Sequence, residues 1–176
     1  MSAGGRADFT HLDETGAARM VDVTEKPATA REAVAEGLLE MTAAMRELFR
    51  SRALAKGDAL AVARVAGIMA AKETARLIPL AHPIPTEAVA IDFAFVDAGI
   101  RITARVRTRA PTGVEMEALA AVSVAALALY DMGKAVERGM RITGIRLLEK
   151  RGGRSGHWRA EDARLSADEE NERDGR

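Results

Sequence analysis

The sequence contains no cysteine, which excludes disulfide bridges, zinc–thiolate sites, iron–sulfur clusters and cysteine nucleophiles. Aromatic residues are scarce, since four Phe, one Tyr and one Trp make up 3% of the chain. A module that stacks nucleic-acid bases on aromatic side chains is therefore disfavoured. Acidic and basic side chains balance at 26 each, so the net charge does not point to nucleic acid either.

Long hydrophobic runs and targeting segments are also missing. The longest nearly apolar run, residues 118–130, is too short to cross a bilayer. The N-terminus has no basic-then-apolar signal segment, so we expect a cytoplasmic protein without a membrane partner. With 176 residues, 48% of them apolar, the chain is long enough for one domain with a proper core.

Charge is distributed unevenly along the chain. Residues 160–176 carry seven acidic and three basic side chains, with Leu165 the only large apolar one. Because so little apolar surface cannot offset the entropy of ordering, we expect a charged, disordered tail. Residues 1–19 are small and polar and are expected to be loosely ordered, which leaves one folded domain over residues 20–159. Without the tail the chain is mildly basic, which suits an anionic small molecule.

The N-terminal half predicts a short strand and two helices. Residues 20–23 are the strand candidate, and residues 28–54 a first helix. Asp58 can cap a second helix over about 59–77, and three prolines then require an extended connection around His82. The helical spacing in the first helix rests on Val34, Leu38, Met41, Met45 and Leu48.

The C-terminal half predicts a β-hairpin followed by a buried helix. Residues 89–95 and 100–107 alternate strictly between apolar and polar side chains around a turn at 97–99. Thr112 to Glu115 fits a capping box that opens a helix running to about Arg138. This helix is apolar nearly all round, so it belongs in the core or at a subunit interface.

A last strand is predicted over Met140 to Lys150, followed by a glycine-rich loop at 152–156. The resulting order is β-α-α-β-β-α-β. This order favours a ferredoxin-like α+β domain, in which helices pack on one face of an antiparallel sheet.

Candidate catalytic groups lie at the ends of these elements, since no P-loop, dinucleotide fingerprint or zinc-protease motif occurs. Lys56 is either a solvated turn lysine or a functional one. Asp131 and Lys134, three residues apart on one helix face, can form a plain ion pair. Their place directly after an apolar run also suits a cleft, where burial and charge tune a lysine for acid–base work.

Further polar residues have two interpretations each. His82, held among prolines, suits a structural hydrogen bond as well as catalysis. Glu115 and Glu117 lie in the first helical turn, where the helix dipole favours carboxylates, and Met116 between them could be core.

Basic residues accompany the glycines of the last loop. Lys150, Arg151 and Arg154 can grip phosphate there, or they can form an ordinary basic loop. The sequence leaves both interpretations open.

Four segments of the chain, taken together, resemble a known family. They are MVDVTEK (20–26), KGDALAVARVAGIMAAKETARLIPLAHPIP (56–85), TGVEMEALAAVSVAALALYDMGKAV (112–136) and LLEKRGGRSGHW (147–158). They resemble the cyclic pyranopterin monophosphate synthase family, also called molybdenum cofactor biosynthesis protein C. The likeness runs through most of residues 20–158, and its second and third segments are long and distinctive.

The resemblance implies a lyase of molybdenum cofactor biosynthesis. Its expected substrate is (8S)-3′,8-cyclo-7,8-dihydroguanosine 5′-triphosphate, which it converts to cyclic pyranopterin monophosphate with release of diphosphate. The resemblance also implies a ferredoxin-like fold and a hexamer built as a trimer of dimers, with active sites between subunits. No cofactor is expected, although Mg²⁺ can accompany the triphosphate, and no nucleic-acid partner is expected.

The resemblance also implies the site residues. Asp131 of the Y-D-M motif, Lys134 three residues later and Lys56 of the K-G-D motif are the expected catalytic residues. Arg31 occupies the family's basic position in the first helix. The expected substrate-binding residues are Arg31, Leu80, Ala81, His82, Glu115, Met116, Glu117, Lys150 and Arg154.

Three positions depart from the family pattern. Ala81 and Gly133 stand where many relatives have cysteine, so thiol chemistry cannot be required, and Arg154 replaces a lysine with a different donor geometry.

Two other classes of function compete. An RNA-binding module fits poorly, because residues 100–107 contain no aromatic side chain. A non-catalytic nucleotide sensor or scaffold stays open, because binding and catalysis would use the same residues.

Overall fold

The computed structural model describes residues 16–54, 57–153 and 156–161. The expectations of a loosely ordered N-terminus and a charged tail fall mostly on residues 1–15 and 162–176, which lie outside this range. The elements in chain order are β1 (Thr29–Glu40), α1 (Ala43–Arg50), α2 (Ala59–Lys72), α3 (Thr74–Leu77), β2 (Ala88–Val96), β3 (Gly99–Ala110), α4 (Glu115–Gly133), β4 (Arg141–Arg151) and β5 (His157–Arg159).

The strands of the described residues form one antiparallel sheet in the order β2-β3-β1-β4-β5. Buried side chains of β3, such as Ile100, Ile102 and Val106, alternate with more accessible ones, and they belong to the same core as α4. The predicted α+β fold, with helices on one face of an antiparallel sheet, is confirmed. When α1–α3 are counted as one crossing, the chain follows the β-α-β-β-α-β order of ferredoxin-like domains.

The central strand β1 occupies most of the segment that was predicted as the first helix, and that prediction is wrong for residues 29–40. Ala33, Ala35 and Leu39 alternate along the strand and are fully buried. Hydrogen bonding to β3 on one side and β4 on the other decides the conformation here. Apolar spacing alone did not reveal these neighbours, because they come from distant parts of the chain. Only α1 remains of the predicted helix.

Three further predictions are wrong. Residues 20–23 form no strand, and the backbone instead enters a turn stabilised by the Asp22 carboxylate. The proposed capping box does not form, because α4 begins at Glu115 with Val114 at the N-cap and no side-chain cap hydrogen bond. The same helix ends at Gly133 rather than at about Arg138.

Several predicted elements are confirmed. The Asp58 carboxylate accepts a hydrogen bond from the Ala61 N–H (3.0 Å) and caps α2. The β2–β3 hairpin lies where the alternation predicts it, and the predicted last strand is present as β4. The second helix is interrupted at Glu73, so that α3 follows α2 as a separate short turn. The edge strand β5 was not predicted, and it places Trp158 opposite Lys150.

Helices α2 and α4 pack against each other through small residues. Lys72 at the end of α2 and Glu117 at the start of α4 line one pocket, so the helices run antiparallel. Midway, a Cβ added at Gly67 would lie 2.8 Å from the Ala121 carbonyl oxygen and 3.2 Å from the Ala125 Cβ. The contact therefore leaves no room for a larger side chain.

Helix α4 is also the one described helix that is long and apolar enough to cross a membrane by length and composition. Half of its most apolar window is buried inside the fold, which is usual for the core helix of a globular domain. Its buried residues are Glu117, Ala118, Ala121, Val122, Ala125, Ala126, Leu129, Met132 and Gly133.

We expect Gly67→Val to destabilise the protein by about 1–3 kcal/mol, because the added side chain would overpack the α2–α4 contact. Gly139→Val is the matched control, since an added Cβ there meets nothing within 4 Å. Thermal unfolding followed by circular dichroism would measure both. Equal melting temperatures for the two variants would contradict the close packing described here.

Candidate active site

A pocket of about 330 Å³ lies where the end of α2, α3 and residues 82–84 meet the first turn of α4. His82 and Glu117, two of the predicted substrate-binding residues, line it together. Lys72 and Arg76, which were not predicted as site residues, line it as well. The signal that could have found them is their place in the long second segment of the resemblance, ten and six residues before His82.

Glu117 is a buried carboxyl group in this pocket, with 4% of its surface exposed. Burial raises the pKa of Glu117, because the charged form loses its hydration, and the nearby charge of Glu115 raises it further. A hydrogen bond from its own backbone N–H acts in the opposite direction but does not outweigh burial. Glu117 therefore holds a proton more readily than an ordinary glutamate, which suits proton transfer to or from a ligand.

A second group of predicted residues lies at the same end of α4. The Lys150 ammonium donates a hydrogen bond to the Glu115 carboxylate (3.0 Å), and both side chains remain partly accessible. Arg31, on β1 rather than on a helix, donates from Nε to the Ala110 carbonyl and from Nη2 to the Pro111 carbonyl, each at 3.2 Å. Because Arg31 binds only neutral carbonyl groups, the set of Lys150, Glu115 and Arg31 keeps a net positive charge at one end of the sheet. A phosphate site requires such a charge.

The glycine loop after β4 passes directly over Arg31. Gly153 has a positive φ of 74°, and a Cβ added to it would collide with the Arg31 guanidinium. A side chain there would be strained by the backbone conformation and would displace the arginine. Arg154, the predicted phosphate contact in this loop, lies outside the described residues.

Three other predicted substrate-binding residues are close in sequence to residues that line the pocket. Leu80 and Ala81 are partly buried in the connection before His82, where the Ala81 N–H donates to the Ile78 carbonyl (3.0 Å). Met116 is largely exposed in the first turn of α4 rather than in the core. None of these three side chains lines the pocket itself.

The predicted catalytic pair lies at the opposite end of α4. The Lys134 ammonium and the Asp131 carboxylate are 2.6 Å apart, with 53% and 57% of their side chains exposed. The hydrogen bond that Lys134 donates to the Asp131 carboxylate, together with the negative charge of Asp131, raises the pKa of Lys134. Within one chain the pair is thus an exposed ion pair that keeps the lysine protonated.

Within one chain, the predicted site residues therefore lie at the two opposite ends of α4. Sixteen residues of helix separate Glu115 from Asp131, a distance of about 24 Å along the axis at about 1.5 Å per residue. The antiparallel packing puts the N-terminus of α2, which begins at Ala59, at the Asp131 end. Lys56, the third predicted catalytic residue, lies outside the described residues just before that helix. A single chain does not bring the two groups together.

The raised pKa of Glu117 predicts a pH-dependent effect on stability. Because the pKa in the folded state exceeds the ordinary value of 4.5, the folded protein loses stability as pH rises from 4.5 through the raised pKa. We expect Glu117→Gln to raise the melting temperature at pH 7, where it removes the buried charge, and to change it little below pH 4.5. Glu87→Gln, at an exposed position, is the control. An equal effect of Glu117→Gln at both pH values would contradict this account.

Comparison with known proteins identifies the family. The sequence model of the MoaC family matches residues 20–153. The cyclic pyranopterin monophosphate synthase of Thermomicrobium roseum is 60% identical over 158 residues, which cover 89% of this chain and 95% of that protein. The synthase of Methylobacterium sp. strain 4-46 is 59% identical over 89% of this chain and 99% of that protein. That of Novosphingobium aromaticivorans is 56% identical over 87% and 98%, respectively. The chain therefore belongs to the MoaC family.

Proposed function

We propose that this protein is a cyclic pyranopterin monophosphate synthase, a lyase of molybdenum cofactor biosynthesis. It converts (8S)-3′,8-cyclo-7,8-dihydroguanosine 5′-triphosphate to cyclic pyranopterin monophosphate and releases diphosphate. The observation that carries this proposal is the identity of 56–60% to synthases of this name over nearly their whole length. The pocket with Glu117 and the cationic group of Lys150 and Arg31 support the proposal.

The triphosphate needs cations and the ring rearrangement needs proton transfers. Lys150 and Arg31 would bind phosphate oxygens, with Arg154 from the glycine loop. For Lys150 this means exchanging the Glu115 carboxylate for a phosphate, since both are anionic acceptors of the same ammonium. Attack of a ribose oxygen on the α-phosphate then forms the cyclic monophosphate and expels diphosphate, whose negative charge these cations stabilise.

Lys134 enters the reaction as a proton donor. The ammonium carries its proton before substrate binds, and the Asp131 carboxylate beside it favours this charged form. Once it has given its proton to the substrate, Asp131 would hold the lysine in place and favour its reprotonation. Lys56 would act as the complementary base, and Glu117 and His82 would handle protons inside the pocket.

A complete site requires two copies of the chain, because the two groups of residues lie at opposite ends of α4. The helices between them expose an apolar stripe, formed by Val62, Val65 and Met69 on α2 at helical spacing, with Leu127 exposed on α4. Two copies related by a two-fold axis across this stripe would pack antiparallel. The Asp131 end of one copy would then adjoin the Glu117 end of the other.

We therefore propose a homo-oligomer with sites between subunits. The hexamer expected from the resemblance would consist of three such pairs. A cytoplasmic location and Mg²⁺ carried by the triphosphate belong to the same proposal.

The activity test uses purified variants and the cyclic nucleotide. Lys134→Ala and Asp131→Ala should each lower turnover by about 100-fold or more, the usual effect of removing a positioned acid or base. Lys150→Ala should mainly raise KM, because it removes a phosphate contact. Turnover is followed by the fluorescence of the oxidised pterin product.

The matched control for these variants is Glu47→Ala, which removes the acid of another exposed i,i+3 ion pair, that of Glu47 with Arg50. It should keep full activity. Tight binding of the nucleotide without any pterin formation by the unsubstituted protein would instead favour the non-catalytic sensor.

The two-copy site predicts complementation between inactive subunits. When His82→Ala and Lys134→Ala chains are unfolded together and refolded, half of the random pairs are mixed. Each mixed pair contains one site with neither substitution, so about a quarter of the full activity should return. Each variant refolded alone is the control. No recovery, despite mass-spectrometric evidence of mixed oligomers, would show that both groups act within one chain or not together.

A further inference from the structure

The imidazole of His82 is held by a backbone group from a distant part of the chain. Its Nε2 lies 2.7 Å from the carbonyl oxygen of Val21, which precedes it by 61 residues. A carbonyl oxygen can only accept, so Nε2 must carry the hydrogen of this bond. In the neutral ring Nδ1 is then the unprotonated nitrogen, with a free lone pair.

The backbone directly after Val21 is shaped by a turn. Asp22 Oδ1 accepts hydrogen bonds from the Thr24 N–H (2.9 Å) and from Thr24 Oγ1 (2.6 Å). The Lys26 N–H donates to the Val23 carbonyl (3.0 Å) and closes the following turn. These bonds hold residues 22–26 in one conformation and thereby restrict where the Val21 carbonyl can point.

This turn contributes little to the core of the protein. Within residues 16–28 no side chain is buried, and Asp22 and Thr24 are exposed. The hydrogen bonds from Thr24 lower the pKa of Asp22, so the carboxylate remains an acceptor at neutral pH. The observed contact of the turn with the pocket is the Val21–His82 bond, which points to a role in placing the histidine.

We propose that the turn at Asp22–Thr24 positions His82 through the Val21 carbonyl and leaves Nδ1 free to exchange a proton with the substrate. This proposal rests on the proposed function and deepens it. Nδ1 takes a proton from the substrate, which makes the ring an imidazolium, and later returns it. Throughout, Nε2–H stays bonded to the Val21 carbonyl, which prevents ring rotation and stabilises the positive charge. Val21 and Asp22 are positioning residues in this scheme.

The first test is nitrogen-15 NMR of the full-length protein labelled at histidine, of which the chain has only three. His82→Gln assigns the His82 signals by their disappearance. We expect the His82 proton on Nε2, protected from exchange with water, and a nuclear Overhauser contact from it to Val21. A proton on Nδ1, or an Nε2 proton that exchanges freely, would overturn the proposal.

The second test perturbs the turn. Asp22→Ala removes the acceptor of both Thr24 hydrogen bonds and should abolish the protection of the Nε2 proton. It should also lower kcat/KM by about 10-fold through misplacement of the ring, while the melting temperature stays nearly unchanged. Asp22→Asn keeps an acceptor oxygen and should restore protection and most of kcat/KM. Glu25→Ala, an exposed neighbour, should change neither quantity.

The two readouts separate this proposal from the proposed function. An unsubstituted protein without synthase activity would refute the function, yet the NMR signals would still report the Val21–His82 bond. An active enzyme in which Asp22→Ala keeps both the protected proton and full kcat/KM would refute the positioning role alone.

Discussion

The close contact of α4 with α2 and β1 is the constraint on which the rest of the structure depends. A glycine allows the close approach on each side of α4, and between the helices Gly67 faces Ala121. On the sheet side, a Cβ added to Gly37 would lie 2.7 Å from a methyl group of Val122. Such small residues let the backbones approach closely, so the helix is held by shape on two sides. Its orientation cannot shift without collision.

This rigid placement of α4 determines how the site is divided. The helix places Glu115 and Glu117 beside the pocket and the cationic end of the sheet, while Asp131 and Lys134 lie at the other end in solvent. The two carboxylates at its start have different surroundings. Glu115 is paired with Lys150, whereas Glu117 is buried and has a raised pKa. Two carboxylates two residues apart thus differ in their electrostatic surroundings.

Two predicted site residues are also held by contacts outside the hydrophobic core. The turn at residues 22–24 buries none of its side chains, yet the carbonyl of Val21, the residue before it, accepts a hydrogen bond from His82. Arg31 likewise donates to two backbone carbonyls and lies under the glycine loop. Both contacts hold a predicted site residue through backbone carbonyls rather than through apolar packing.

The sequence by itself determined the class of fold, the hairpin, the buried helix and the family. Strict alternation over β2 and β3 and the apolar run of α4 are local patterns that few other structures satisfy. The sequence also indicated four site residues whose side chains lie together at the N-terminal end of α4, namely His82, Glu115, Glu117 and Lys150. Their gathering could be anticipated only through the resemblance, because their chemistry in the sequence is ambiguous.

Only the tertiary structure decided that residues 29–40 form the central strand. Their apolar spacing suits a helix, but two neighbouring strands from distant parts of the chain supply hydrogen bonds that no local pattern encodes. The tertiary structure likewise revealed Lys72 and Arg76 in the pocket with Glu117 and the Val21 carbonyl on His82. Each of these depends on a distance between residues far apart in the chain. Such distances are determined by the packing of whole elements, which the sequence specifies only collectively.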